Sequence, residues 1–180
     1  MKSGNERGRM TRSQKMKMVG KFVYWPLVWT AMFLPVFLWP VKLPGFWRAL
    51  SVLLGLAMLI VSLMLTAGGG RTLAKTGHQP ERATFWPDKF TDFGVFGCMR
   101  HPMHLGLAIF PVALALLSGY AVAICSSGWG VAAALWFVLH IEEKEALQKY
   151  GATYGNYMQR VPPFSLRPEC FKKILNVREL

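Results

Sequence analysis

The sequence predicts an all-α integral membrane protein of about four transmembrane helices, paired as two helical hairpins, with a cytoplasmic C-terminal helical extension. A chain of 180 residues that is 53% hydrophobic and only 17% charged is too apolar for an ordinary soluble domain of its size. Four apolar runs approach or reach the roughly 20 residues that a helix needs to cross a hydrocarbon core. The formal charge of +12 comes from residues that bracket those runs, which argues against a nucleic-acid-binding face and for a bilayer surface.

Residues 1–21 form a basic cytoplasmic segment, with Lys2, Arg7, Arg9, Arg12, Lys15, Lys17 and Lys21 against the single acid Glu6. The apolar stretch that follows is long, Trp-rich and broken by prolines, unlike the brief core of a cleaved secretory signal, so it is expected to be retained. Residues 22–180 then read as one membrane domain. Its first span, 22–41, contains Pro26, Pro35 and Pro40 and should be kinked. The short link Lys42-Leu43-Pro44-Gly45 leads to a second span, 46–67, headed by Arg48 and stopped by Gly68-Gly69-Gly70. Pro102 suits the first turn of a third, shorter span, 102–117, and Ser118-Gly119 offers a turn into the fourth, 121–141. Ser126-Ser127-Gly128 competes for that turn. The fourth span runs without a breaker into Glu142-Glu143-Lys144-Glu145, so one long helix should leave the membrane for water.

An even number of spans returns the C-terminus to the side of the basic N-terminus, the cytoplasmic side by the positive-inside rule. Segments 68–106 and 142–164 therefore share one compartment and hold most of the polar residues able to do chemistry. At Arg100-His101-Pro102-Met103-His104-Leu105-Gly106 a loop becomes a helix, whose free N-terminal amides and positive dipole end favour an anionic group. Gly106 would allow a ligand or a neighbouring helix close to the backbone. Glu142-Glu143, following His140, should meet Arg100 and His101 across the short hairpin. Tyr150, Tyr154 and Tyr157 fall at i, i+4 and i+7, an aromatic face before Arg160 and the extended exit Val161-Pro162-Pro163. Alone, each group has a bland reading: interfacial anchors, solvated acids, tyrosines packing a short helix back on the bundle.

Taken in order over 97–164, the motif Arg100-His101-Pro102-Met103 with Gly106, Glu142-Glu143, Tyr150-Gly151, Tyr154, Tyr157 and Val161-Pro162 resembles the isoprenylcysteine carboxyl methyltransferase and phospholipid methyltransferase superfamily. The resemblance implies S-adenosylmethionine as methyl donor, held by His101, Pro102, His104, Gly106, Glu142 and Glu143. It implies a lipid-like acceptor, a prenylated cysteine or a phospholipid amine. Arg100 and Arg160 are candidates to hold an anionic acceptor group, and Glu143 is a candidate base. The donor's charges agree independently: an ammonium and a sulfonium want carboxylates, and a carboxylate wants donors. His104 stands where the superfamily usually has tyrosine, and Pro163 where a basic residue commonly follows the Val-Pro pair.

Three other classes compete. A membrane metalloenzyme would use His101, His104, His140 and Glu142 or Glu143. A sterol-reductase-like protein shares a His-Pro motif and a Tyr-Gly and Val-Pro segment, although 180 residues is short for it. A non-catalytic scaffold would keep the helices alone. Cys98, Cys125 and Cys170 have an odd count and no ligand spacing, so no metal site and no disulfide framework is expected from them.

Overall fold

The computed structural model describes residues 12–78 and 87–175. Lys2, Glu6, Arg7 and Arg9 of the expected basic segment lie outside the described residues. The chain is helical: α1 (Arg12–Leu38), α2 (Gly45–Thr76), α3 (Pro102–Ser118), α4 (Ala121–Phe137), α5 (Glu143–Tyr150), α6 (Ala152–Arg160) and α7 (Pro168–Leu175). A 3-10 turn at Gly94–Gly97 precedes α3, and a π-helical turn at Val138–Glu142 joins α4 to α5. Among the described residues three helices are long and apolar enough to cross a membrane: Val19–Leu38, Gly45–Thr76, and the continuous run Ala121–Tyr150. At 17 residues α3 is a shorter apolar helix, as its sequence indicated.

The first two helices are not the packed hairpin expected from their short link. α2 lies along α3, α3 along α4, and α4 along α1, so α1 and α2 flank the inner pair. Pro40 and Pro44 hold the link extended and let the two axes part. The link is anchored instead on the α3–α4 turn, where Leu43 N donates to Gly119 O at 2.9 Å and Ala121 N to Val41 O at 2.9 Å. The chain makes the α3–α4 turn at Ser118-Gly119, because Gly119 takes the left-handed φ of 68° that closes the helix. Ser126-Ser127-Gly128 stays inside α4.

Gly68-Gly69-Gly70 does not stop the second helix, which continues to Thr76. The reason is packing: a Cβ on Gly68 would strike Ile174 of α7, and one on Gly69 would come within 2.6 Å of Met103 Cγ. The triplet is a smooth face on which α3 and α7 seat, and that packing offsets the cost of about 1 kcal/mol for each mid-helix glycine. A disulfide also corrects the cysteine reading, joining Cys98 to Cys170 with Cα atoms 5.6 Å apart and leaving Cys125 free. It belongs to a small core of Leu65, Val95, Phe96, Met99, Cys170 and Ile174 at the end of the bundle that carries α5 to α7. Along the spans the large apolar side chains point outward: Leu27, Leu34, Phe37, Leu53, Ile60 and Trp129 are exposed, as suits helices bathed in lipid.

Candidate active site

Arg100 and His101 sit in the two residues before α3, where Pro102 at the first helical position ends the loop. Backbone pairing fixes them from the far end of the chain: Arg100 N donates to Pro162 O at 3.0 Å and His101 N to Pro163 O at 3.1 Å. The Val161-Pro162-Pro163 exit is thereby laid beside the His-Pro segment.

Glu143 meets this pair. Arg100 donates Nε to Glu143 Oε1 at 2.8 Å and Nη2 to the same oxygen, while Nη1 donates to Val161 O at 2.6 Å and Met158 O at 3.0 Å. His101 Nε2 lies 3.2 Å from the same Glu143 oxygen. All three residues are more than nine-tenths buried. Burial lowers the His101 pKa below its usual value against the opposing pull of Glu143, so the ring is neutral at pH 7 and its Nε2–H donates to the carboxylate. With every guanidinium nitrogen engaged, Arg100 ties together the α3 entry, α5 and the end of α6.

Glu142 faces elsewhere. Successive helical residues point about 100° apart, and the π-helical turn adds its own offset, so adjacent acids separate. Glu142 Oε1 lies 2.8 Å from Lys21 Nζ of α1 and 3.7 Å from His104 Nε2, and Lys21 also reaches Glu145 at 2.6 Å. These side chains are between 19% and 32% exposed, so this cluster, unlike the Arg100 knot, is open to a ligand. Trp25, one turn along α1, sets its ring 6.1 Å from that of His104.

The tyrosine face survives in modified form. Gly151, at φ 57°, breaks the helix between α5 and α6, yet Phe90 gathers Tyr150, Tyr154 and Tyr157 with ring centroids 5.5, 6.4 and 5.2 Å away. Tyr157 donates its hydroxyl to Phe96 O at 2.5 Å. Burial, with Glu143 nearby, pushes the Tyr154 pKa up to about 12, so the phenol stays protonated.

Of the residues singled out from sequence, Arg100, His101 and Glu143 converge in the buried knot, and His104 and Glu142 in the open cluster beside it. Pro102 is buried against Gly69. Gly106 faces α2, where its carbonyl accepts from Ser62 Oγ at 2.7 Å and a Cβ would come within 2.7 Å of Ser62 O. Arg160 stands apart, 68% exposed, with Asp92 3.6 Å away. His140 turns outward and stacks on Trp136 at 5.3 Å. Among the described residues no three His, Cys, Asp or Glu side chains form a group able to hold a metal ion. Lys21 and Trp25 were not found from sequence. Their i, i+4 spacing marks a common helix face, but nothing in the chain says which helix that face meets.

The family model for phospholipid methyltransferase matches residues 50–153. The chain belongs to the phospholipid methyltransferase family. The match runs from the first turns of α2 to the start of α6, hence over both acids and the whole Arg100 to Gly106 segment, and leaves α1 outside. Family membership and the apolar helices together make this an integral membrane methyltransferase. No curated protein and no solved structure matches the chain.

Proposed function

We propose that this phospholipid methyltransferase family member uses S-adenosylmethionine and methylates a lipid-like acceptor at the cytoplasmic face. The observation that carries the reading is the open cluster of His104 and Glu142 beside the start of α3, held in place by the buried Arg100, His101 and Glu143 knot.

The residues present fit the donor. Glu142 is a reachable carboxylate for an ammonium or sulfonium. No acid occupies the first turn of α3 and no side chain caps it, so the amides there suit a carboxylate. When bound, S-adenosylmethionine supplies an activated methyl group on a positively charged sulfur. The chain contributes position and exclusion of water. In this reading Arg100, Glu143 and His101 are positioning residues: they fix the α3 entry against α5, and Pro102 and Gly106 seat it on α2. His104 and Glu142 touch the donor.

The acceptor is either a phospholipid amine or a prenylcysteine carboxylate, since both bring an apolar anchor to the bilayer surface. An amine must lose a proton, and the imidazole of His104 is the reachable group able to take one; a carboxylate needs no base. Arg160, on the exposed rim, is placed to meet an anionic headgroup.

Calorimetry on detergent-purified protein tests the donor site. Wild type should bind S-adenosylmethionine, and Glu142→Gln and His104→Ala should each weaken binding by about tenfold or more while the thermal unfolding curve stays in place. Methyl transfer to phosphatidylethanolamine vesicles against a prenylcysteine then separates the acceptors. Folded wild type that binds no donor, in lipid as in detergent, would overturn the proposal.

A further inference from the structure

Lys21 has no part in the reading above, yet it sits in the middle of the open cluster. Its ammonium bridges Glu142 and Glu145 at 2.8 and 2.6 Å, and its side chain is only 25% exposed. The placement is built rather than incidental. On the same helix Tyr24 donates to Ala133 O at 2.7 Å and stacks on Phe137 at 4.4 Å, and Trp25 packs on Phe137 at 5.9 Å and His104 at 6.1 Å. Within little more than one turn, from Lys21 to Trp25, these contacts pin α1 to α4 and α3 with Lys21 over the acids. This helix lies outside the family match, so the lysine is a feature of this chain beyond the matched scaffold.

We propose that Lys21 is a resident counter-ion that sets the affinity for the methyl donor, neutralising Glu142 and yielding that carboxylate to the donor's ammonium while keeping its hold on Glu145. The inference rests on the donor site proposed above. A second ammonium brought to Glu142 would stand within a few ångströms of the Lys21 ammonium in a partly buried site, where like charges repel, so the donor's hold on the carboxylate strengthens as the lysine withdraws toward Glu145. An ammonium on a flexible four-carbon stem, with three donors to share, can release one acid and remain with the other. Glu145, one helical turn from Glu142's end of the long helix, supplies that second anchorage. Lys21 therefore determines how much of the donor's charge is recognised: the amino-acid end must displace a cation, while the adenosine end meets no such competitor.

The experiment measures dissociation constants by calorimetry for S-adenosylmethionine and for 5′-methylthioadenosine, which lacks the ammonium, the carboxylate and the sulfonium charge. Lys21→Met keeps the stem and removes the charge; it should bind S-adenosylmethionine roughly three- to tenfold more tightly and leave methylthioadenosine unchanged. Lys21→Arg, which keeps the charge, should stay within about twofold of wild type. Glu145→Gln removes the alternative anchorage and should weaken donor binding, but should have no effect in the Lys21→Met background, because Glu145 acts through the lysine. Unchanged or weaker binding by a Lys21→Met protein with a wild-type unfolding temperature would overturn the proposal. So would an equal effect of Glu145→Gln with and without the lysine, which is also the deciding result if Lys21→Met alone folds poorly. Wild type that binds methylthioadenosine and S-adenosylmethionine while these variants fail sinks this inference alone; wild type that binds neither sinks the donor site with it.

Discussion

At the scale of single residues, the buried Arg100 and Glu143 pair is the part of the site most sensitive to substitution. A buried ion pair adds little compared with an apolar replacement, but removing one partner strands the other charge, at a cost of about 3–5 kcal/mol. Arg100→Ala should therefore lower stability by about that amount, read as an early thermal unfolding transition in detergent. It also frees the carbonyls of Val161 and Met158, which the guanidinium ties to the α3 entry. Arg100→Lys should rescue little, because a point-like ammonium cannot reproduce the planar fork that serves Glu143 and two carbonyls at once. The double variant Arg100→Ala with Glu143→Gln should lose less than the two single losses combined, since no unpaired charge is left in the interior. Strict additivity would mean that the pair does not act as a unit and that Arg100 owes its place to the carbonyls alone.

At the scale of elements, the junction of α2 and α3 is held by close backbone approach. Ser62 and Thr66 press on Gly106, so Gly106→Ala should force the helices apart and destabilise the protein by about 1–3 kcal/mol, with part of the loss recovered by Thr66→Ala. An unchanged unfolding temperature for Gly106→Ala would show that the helices have slack the structure does not suggest. This contact also shows where the sequence was legible. The apolar runs marked the helices, though not the end of α2, and the meeting of Arg100 and His101 with Glu143 followed from a hairpin short enough to force it, whereas Glu142 turns to Lys21 and His104 instead. Which side of Gly106 would be crowded did not follow, because a glycine admits a ligand and a helix equally well. The same limit explains Gly68-Gly69-Gly70: intrinsic propensity says stop, and only the partner surfaces of Met103 and Ile174 say continue. Lys21, and the pairing of Cys98 with Cys170 across 72 residues, depend on packing order between distant elements, which local pattern does not encode.

At the scale of the whole molecule, the two ends of the bundle are chemically distinct. One end carries the pairing of the 42–44 link with the α3–α4 turn, where Lys42 lies over the Tyr120 ring at 5.4 Å. The other gathers Lys21, Arg100, Glu142 and α5 to α7, with Lys149 donating to Pro87 O at 2.7 Å. If the helices cross the bilayer, Lys42 and the pair Lys89 and Lys149 must lie on opposite sides. In the orientation proposed above the second end faces the cytoplasm, which is what the positive-inside rule expects of the more basic end. The span lengths are unequal: α3, at 17 residues, rises about 25 Å, short of a hydrocarbon core of about 30 Å, whereas α2 runs to 32 residues. Because the α3–α4 turn is hydrogen-bonded to the α1–α2 link, the two tips must sit at one depth. The deficit in α3 then falls at its N-terminus, which draws His101 and His104 toward the level of the lipid headgroups, where a lipid acceptor would be met. Single cysteines at positions 42, 89 and 149, in a background without the native three, test this arrangement in sealed vesicles with a membrane-impermeant maleimide. Position 42 should label from one face, and 89 and 149 from the other. A cysteine at position 104 should label from the same face as 89, more slowly than 89, and a bimane fluorophore attached there should be quenched by brominated lipid less than one attached mid-span at 60. Labelling of 42 and 149 from one face would rule out the four-crossing bundle, and a residue 104 as deep as residue 60 would remove the route by which a water-borne donor and a membrane-borne acceptor reach the same side chains.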